Sequence, residues 1–368
     1  MTIRSSAIRV AAVVVFCAPL LAQTSTTTQT KPVAKTIVVG REARLALIRR
    51  SQVWHPTAVE KMDLKTGPTG HDAFGPGAPV TCTYVDKKLA GGSPKFACDL
   101  GKGDELKVKY GADNGEVQGE VAATRLLWAL GFGADRMYSV RLICMGCPSS
   151  LGGQPRQDGA IVFEPAAVER KMHGREIESQ GLVGWSWDEL DLVDERLGGA
   201  PLEHRDALKL LAALIQHTDT KAVQQRLLCL DEKDESDTCA APFMMINDLG
   251  LTFGQASLSN ANDKSSPNFD RWAKTPVWKS DKGCEAVLNQ SFTGTLDSPL
   301  IHEGGRKFLS DLLMRLSDAQ LNDLFEVARF DVRPRHPGQT GSAPATINEW
   351  VKVFKVKREQ IATRRCDS

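Results

Sequence analysis

The sequence predicts an α+β protein, with a strand-rich half followed by a helix-rich half. Three observations carry this. Between about residues 80 and 110 short apolar-alternating runs are separated by glycine turns. One long helical pattern, Gly119–Gly133, then interrupts the strands. After about residue 166 the spacing becomes helical almost to the C-terminus.

The elements follow in order. A Gly/Pro loop at Thr66–Pro79 precedes the run "VTCTYVD", "KFACDL" follows a Gly-Gly turn, and "ELKVKYG" follows the turn "GKGD". In "GEVAATRLLWALGFG", Ala122, Leu126, Ala129 and Leu130 repeat at helical spacing, and Gly131 is the stop. The runs "MYSVRLIC" and "GAIVFEP" read as two further strands. A helix "SWDELDLVDERL" opens on the Ser186–Glu189 capping-box pair. "RDALKLLAALIQH" carries Leu208, Leu211 and Ile215 on one stripe. "RKFLSDLLMRL", "SDAQLNDLFEVARF" (Ser317 with Gln320) and "TINEWVKVFKVKREQIA" (Thr346 with Glu349) complete the helices.

The 368 residues, 42% of them apolar and 25% charged, suffice for one large domain or two lobes. A net charge of +1 gives no electrostatic reason to expect a nucleic-acid partner. At the N-terminus Arg4 and Arg9 precede an apolar run, Val10–Ala22, and then a polar stretch. That is the pattern of a secretory signal over residues 1–22, with a retained anchor as the alternative. No later segment is apolar enough to cross a bilayer, so the expected location is periplasmic or extracellular, with no span after cleavage. Residues 23–79 are expected as a flexible lead-in and N-terminal extension.

The nine cysteines include Cys17 in the signal, which leaves eight. An even count in an exported chain favours disulfides. Cys82 with Cys98 and Cys229 with Cys239 each flank a turn, Cys144 and Cys147 form "CMGC", and Cys284 and Cys366 remain. A CxxC is also found in redox and zinc sites, but there is no second pair at zinc-ligand spacing and no helix starting at it, so a local bridge is the better reading.

Phosphoryl transfer needs a glycine turn over the phosphates, a strand lysine held by a helix glutamate, a loop aspartate and a metal-binding Asp-x-Gly. Such parts occur in that order. "GGSPK" provides Gly91, Gly92 and Ser93. Lys107 and Lys109 share one strand face. Glu120 lies near the start of the helix pattern. His217-Thr218-Asp219-Thr220-Lys221-Ala222-Val223-Gln224 has the spacing H-x-D-x-K-x-x-N, with Gln for Asn, and Asp248-Leu249-Gly250 stands where D-F-G would. Each has an ordinary reading too: exposed strand lysines, a first-turn acid, turn aspartates, a helix-end histidine. Trp185 and Trp187 read as packing residues.

On these motifs, over about residues 80–330, the chain resembles the atypical branch of the kinase-like fold that holds HipA-type toxin kinases and secretory-pathway kinases. It also resembles an uncharacterised family of exported bacterial proteins. The resemblance implies a two-lobed protein-kinase-like fold, with a strand-rich N-lobe (residues 80–165) holding one key helix and a helical C-lobe (residues 166–368). It further implies ATP with Mg²⁺ or Mn²⁺ as cofactors and a protein or small-molecule hydroxyl as acceptor. Lys109 would contact the phosphates and pair with Glu120, with Lys107 as the fallback. Gly91, Gly92 and Ser93 would offer backbone N–H groups. Asp219 would accept or orient the acceptor's proton, Lys221 would stabilise the phosphoryl group, and Gln224 and Asp248 would hold the metal. Gln224 departs from the family's Asn, and the glycine turn is shorter than G-x-G-x-x-G. A catalytically inactive kinase-fold binding module, stabilised by disulfides in the cell envelope, is the alternative.

Overall fold

The computed structural model describes residues 36–231, 238–254, 266–288, 293–336 and 343–366. The signal and lead-in expected over residues 1–35 lie outside them. In chain order the elements are β1 (Ile37–Val39), α1 (Arg41–Arg49), β2 (Ala78–Val85), β3 (Lys95–Asp99), β4 (Glu105–Tyr110), α2 (Glu116–Leu130), β5 (Arg136–Met145), β6 (Gln154–Pro155), β7 (Ile161–Arg170) and β8 (Arg175–Ser179). They continue as α3 (Leu202–Leu214), β9 (Gln225–Cys229), β10 (Pro242–Ile246), α4 (Phe269–Lys274), α5 (Glu303–Met314), α6 (Asp318–Val327) and α7 (Ile347–Thr363). The fold is mixed, with strand-rich sheets and several helices.

One six-stranded sheet runs β4-β3-β2-β5-β7-β6, and β4 also pairs with β7, so five of its strands close on themselves. Alternation explains its filling. Leu106 and Val108 of β4 point inward with Phe96, Tyr138, Val140, Leu142, Phe163 and Val168, while Lys107 and Lys109 point out. A second, larger core gathers α2, α3, α5, α6 and α7, with the rings of Trp272 and Phe325 each in contact with Trp350 and Phe354. Helix α2 belongs to this second core through Val121, Leu126 and Leu130. The described residues form one compact unit.

Three differences from the sequence expectation have local causes. Part of the extension before residue 80 is folded: β1 pairs with β8, and Ile37, Leu47, Ile48, Val53, Val59 and Leu64 are buried in the larger core. The Ser186–Glu189 capping box forms, but it opens a 3₁₀ turn, Trp187–Leu192, instead of an α-helix. The helix-rich half also carries a sheet, β1-β8-β9-β10. The capping boxes at Ser317 and Thr346 start α6 and α7 as expected.

The eight described cysteines pair as Cys82–Cys98, Cys144–Cys147, Cys229–Cys239 and Cys284–Cys366. Four disulfides fit an oxidising compartment. No helix among the described residues is long and apolar enough to cross a membrane.

Candidate functional site

Outward-facing Lys109 is fully buried because α2 lies across it. Its Nζ is 2.7 Å from Glu120 Oε2, 2.7 Å from Glu116 Oε2 and 3.5 Å from Asp248 Oδ1. Burial alone lowers a lysine's pKa, but the carboxylates of Asp248, Glu120 and Glu116 outweigh it and hold Lys109 well above its usual value. Lys107 turns instead to Glu169 on β7, its cross-strand neighbour. Of the two strand lysines it is therefore Lys109, and not the fallback Lys107, that meets Glu120.

Backbone contacts set this geometry. The Asn114 side chain donates to the carbonyls of Pro94 and Tyr110, which joins the glycine turn, the end of β4 and the start of α2. The buried Arg333 guanidinium donates to the carbonyls of Asp113 and Ser266. Two glycines allow α2 to approach the Asp248-Leu249-Gly250 segment. A Cβ on Gly119 would sit 3.0 Å from the Gly250 carbonyl, and one on Gly250 would sit 2.7 Å from Glu116 Cγ. Thr252 Oγ1 donates to the Gly119 carbonyl at 3.2 Å.

Below this lies the loop after α3. The helix ends where Gln216 takes a left-handed backbone (φ 52°), with its amide donating to the carbonyls of Ala213 and Val287. Thr218 N–H donates to Leu251 O, and Phe253 N–H to Ile215 O, so the loop runs beside the Asp248 segment. Gln224 links the two. Its Nε2 donates to Asp219 Oδ2 at 2.6 Å, and its backbone carbonyl accepts from Asn247 and Asp248 N–H at 2.8 and 3.1 Å. Asp219 Oδ1 is 3.0 Å from Lys221 Nζ.

Lys109, Glu120, Asp248, Gln224, Asp219 and Lys221 thus form one connected network. Of the glycine turn only Ser93 has a side chain in it, with Oγ donating to Glu116 Oε2 at 2.8 Å. Gly91 and Gly92 make the exposed turn above, and Lys95 Nζ lies where a Gly91 Cβ would project. Sequence reasoning missed Glu116, Lys95 and Glu169. Glu116 was legible as the partner of Glu120 at helical i,i+4 spacing, had the helix been started at Glu116 and not at Gly119.

Several groups titrate abnormally. Burial pushes the Glu120 carboxyl up to about 8 against the opposing pull of Lys109. Asp248, despite its burial, is held well below the carboxylate range by Lys109 and Lys107. His217 is fully buried beside Trp187 and burial lowers it to about 4, so it is neutral at pH 7 and packs as a ring. Asp135 accepts the Met172 N–H at 2.7 Å, and burial, with Glu169 nearby, raises it to about 7.

These shifts have opposite linkage signs. A carboxyl raised in the folded state stabilises fully below its unfolded value and loses that contribution as pH rises through the folded value. Asp135 and Glu120 therefore cost the fold stability progressively as pH rises from the ordinary carboxylate range, Asp135 until about pH 7 and Glu120 until about pH 8. His217, lowered, loses its contribution only as pH falls from 6.5 toward 4. The midpoint of thermal unfolding is expected to fall on going from pH 6.5 to pH 8. Asp135→Asn, which keeps the acceptor for Met172, is expected to recover on the order of 2 kcal/mol at pH 8 and nothing at pH 4. A variant with the same pH profile as the parent would rule out this assignment.

Among the described residues no group of three or more His, Cys, Asp or Glu is placed to hold a metal ion. The donors on hand are the Asp248 carboxylate, 23% exposed, and the Gln224 amide oxygen, whose paired nitrogen is turned to Asp219. A small set of hard oxygen donors suits a cation that keeps waters and takes its remaining oxygens from phosphate.

No family model matches the chain, and no curated protein matches it. Among solved structures, the Helicobacter pylori proinflammatory kinase CtkA is similar at 11% identity and a TM-score of 0.38, over 78% of this chain and 95% of that one. Likeness at that level leaves the site to be read from its own residues.

Proposed function

We propose that the network is a phosphotransferase site of the protein-kinase type, set between a strand-rich lobe and a helical lobe, in an exported protein. The observation that carries this reading is the double tie at Gln224. Its side chain fixes Asp219, its backbone fixes Asp248, and Asp248 in turn faces the Lys109–Glu120 pair. Four parts from distant points in the sequence would be positioned together for one reaction.

In this reading Glu120 holds the Lys109 ammonium at the phosphates of ATP, and the backbone of Gly91, Gly92 and Ser93 covers them. Asp248 and Gln224 would hold Mg²⁺ or Mn²⁺, which supplies positive charge against the phosphates. Asp219 orients the acceptor hydroxyl and takes its proton as the new O–P bond forms and the bond from the γ-phosphorus to its bridging oxygen breaks, releasing ADP. Lys221, ion-paired to Asp219, meets the charge on the transferring group. The acceptor is a protein or small-molecule hydroxyl.

The inactive binding module remains the second reading, favoured by Glu116, which adds a third carboxylate to Lys109 and stands where phosphate oxygens would. Calorimetric and mass measurements separate the two. With ATP and Mg²⁺ or Mn²⁺ near 100 times Kd, the folded protein gains about 2.7 kcal/mol, which is a rise of roughly 4 °C in Tm for a chain of this size. Asp248→Ala is expected to erase the gain. Intact mass after incubation with ATP and candidate acceptors shows whether a phosphoryl group moves. No shift with any nucleotide and metal would overturn the proposal; a shift without transfer would favour the binding module.

A further inference from the structure

Two acids of α2 reach the same lysine, and they are not equivalent. Glu120 is sealed in, with a side chain 1% exposed, whereas Glu116, at the first position of the helix, is 13% exposed and lies toward the glycine turn. Its carboxylate accepts from Lys109 Nζ at 2.7 Å and Ser93 Oγ at 2.8 Å, and Lys95 Nζ is 3.2 Å from the same hydroxyl. Two ammonium groups, a hydroxyl and the start of a 15-residue helix are donors and a field suited to a phosphate. Gly250 leaves the space the Glu116 side chain fills.

We propose that Glu116 is a gate on nucleotide entry: its carboxylate occupies the Lys109–Ser93 seat of a phosphate group, and the nucleotide binds only as that carboxylate leaves. This rests on the phosphotransferase reading of the site. Geometry selects Glu116 over its neighbour. A first-turn side chain can swing to solvent by χ rotation without moving the helix, whereas release of Glu120 would require α2 to lift from the core. Ser93, whose hydroxyl holds the carboxylate in place, is the latch, while its backbone N–H stays available to phosphate. Glu116 thus lowers affinity for any polyphosphate and sets the nucleotide concentration at which the site fills.

The test is isothermal titration of the full mature chain with Mg-ATP and, separately, with inorganic tripolyphosphate. Glu116→Gln is expected to bind both roughly tenfold tighter than the parent. Asp113→Asn, which removes a nearby exposed charge that does not touch Lys109, should leave binding unchanged. Equal or weaker binding by Glu116→Gln, or an equal gain in Asp113→Asn, overturns the gate and leaves the phosphotransferase reading standing. If no variant binds either probe, both fall. Should circular dichroism show Glu116→Gln unfolded, Glu116→Ala decides: tighter binding supports the gate, and equal or weaker binding overturns it.

Discussion

Lys109→Ala is expected to be the most damaging single substitution in the site, for stability as well as for binding. It removes a fully buried ammonium and leaves Glu116, Glu120 and Asp248 facing one another. Breaking a buried ion pair by deleting one partner costs about 3–5 kcal/mol, because the remaining charge is left uncompensated. The loss should depend on pH with a definite sign. Glu120 already sits near 8 with Lys109 present, and without it the carboxyl rises further. A raised carboxyl stabilises at low pH and loses that contribution as pH climbs, so the deficit should be smaller at pH 5 than at pH 8. Urea denaturation of parent and variant at the two pH values measures it. Nucleotide-dependent stabilisation should vanish at both. A deficit below about 1 kcal/mol, or one that does not change with pH, would mean that Lys109 is not the centre of the charge network.

The second large effect belongs to a disulfide outside the charge network. Cys284 and Cys366 are 82 residues apart, and their disulfide closes a loop that carries α5, α6 and α7. Restricting a loop of that length in the unfolded chain contributes about 4.5 kcal/mol in the chain-entropy account. The Cys284→Ser, Cys366→Ser double variant should lose about that much. Cys144→Ser, Cys147→Ser, opening a separation of only 3, should lose about 2 kcal/mol. The C-terminal segment has other ties that keep its geometry: Arg306 donates to the carbonyls of Ile361 and Ala362, and Glu303 accepts the Cys366 N–H. The double variant should therefore fold with its site intact and unfold at lower urea. If the CxxC pair proved the costlier to remove, loop entropy would not be the source of the stabilisation.

Much of the strand pattern was legible because glycine turns punctuate alternating runs, and three capping pairs marked helix or 3₁₀ starts. The start of α2 was not. Gly119 reads as a boundary in the chain, but in the fold it is where the helix meets the Gly250 carbonyl, and the helix begins at Glu116. That shift of three residues hid the second carboxylate on Lys109. His217 shows the same limit in reverse. The sequence reads it as a helix-end histidine bonded to a neighbour, and burial makes it a neutral ring packed beside Trp187.

The sequence alone determined the order of the parts: strand lysines, helix glutamate, the Asp219 loop, the Asp248-Leu249-Gly250 segment, and eight cysteines spaced for four bridges. Those are local patterns, set by side-chain alternation, helical period and turn chemistry. Which lysine enters the site, that two glutamates share it, and that Gln224 ties Asp219 to Asp248 were decided only by tertiary structure. The reason is physical. Lys107 and Lys109 are alike along the strand, and they become different only when β7 brings Glu169 to one and α2 closes over the other.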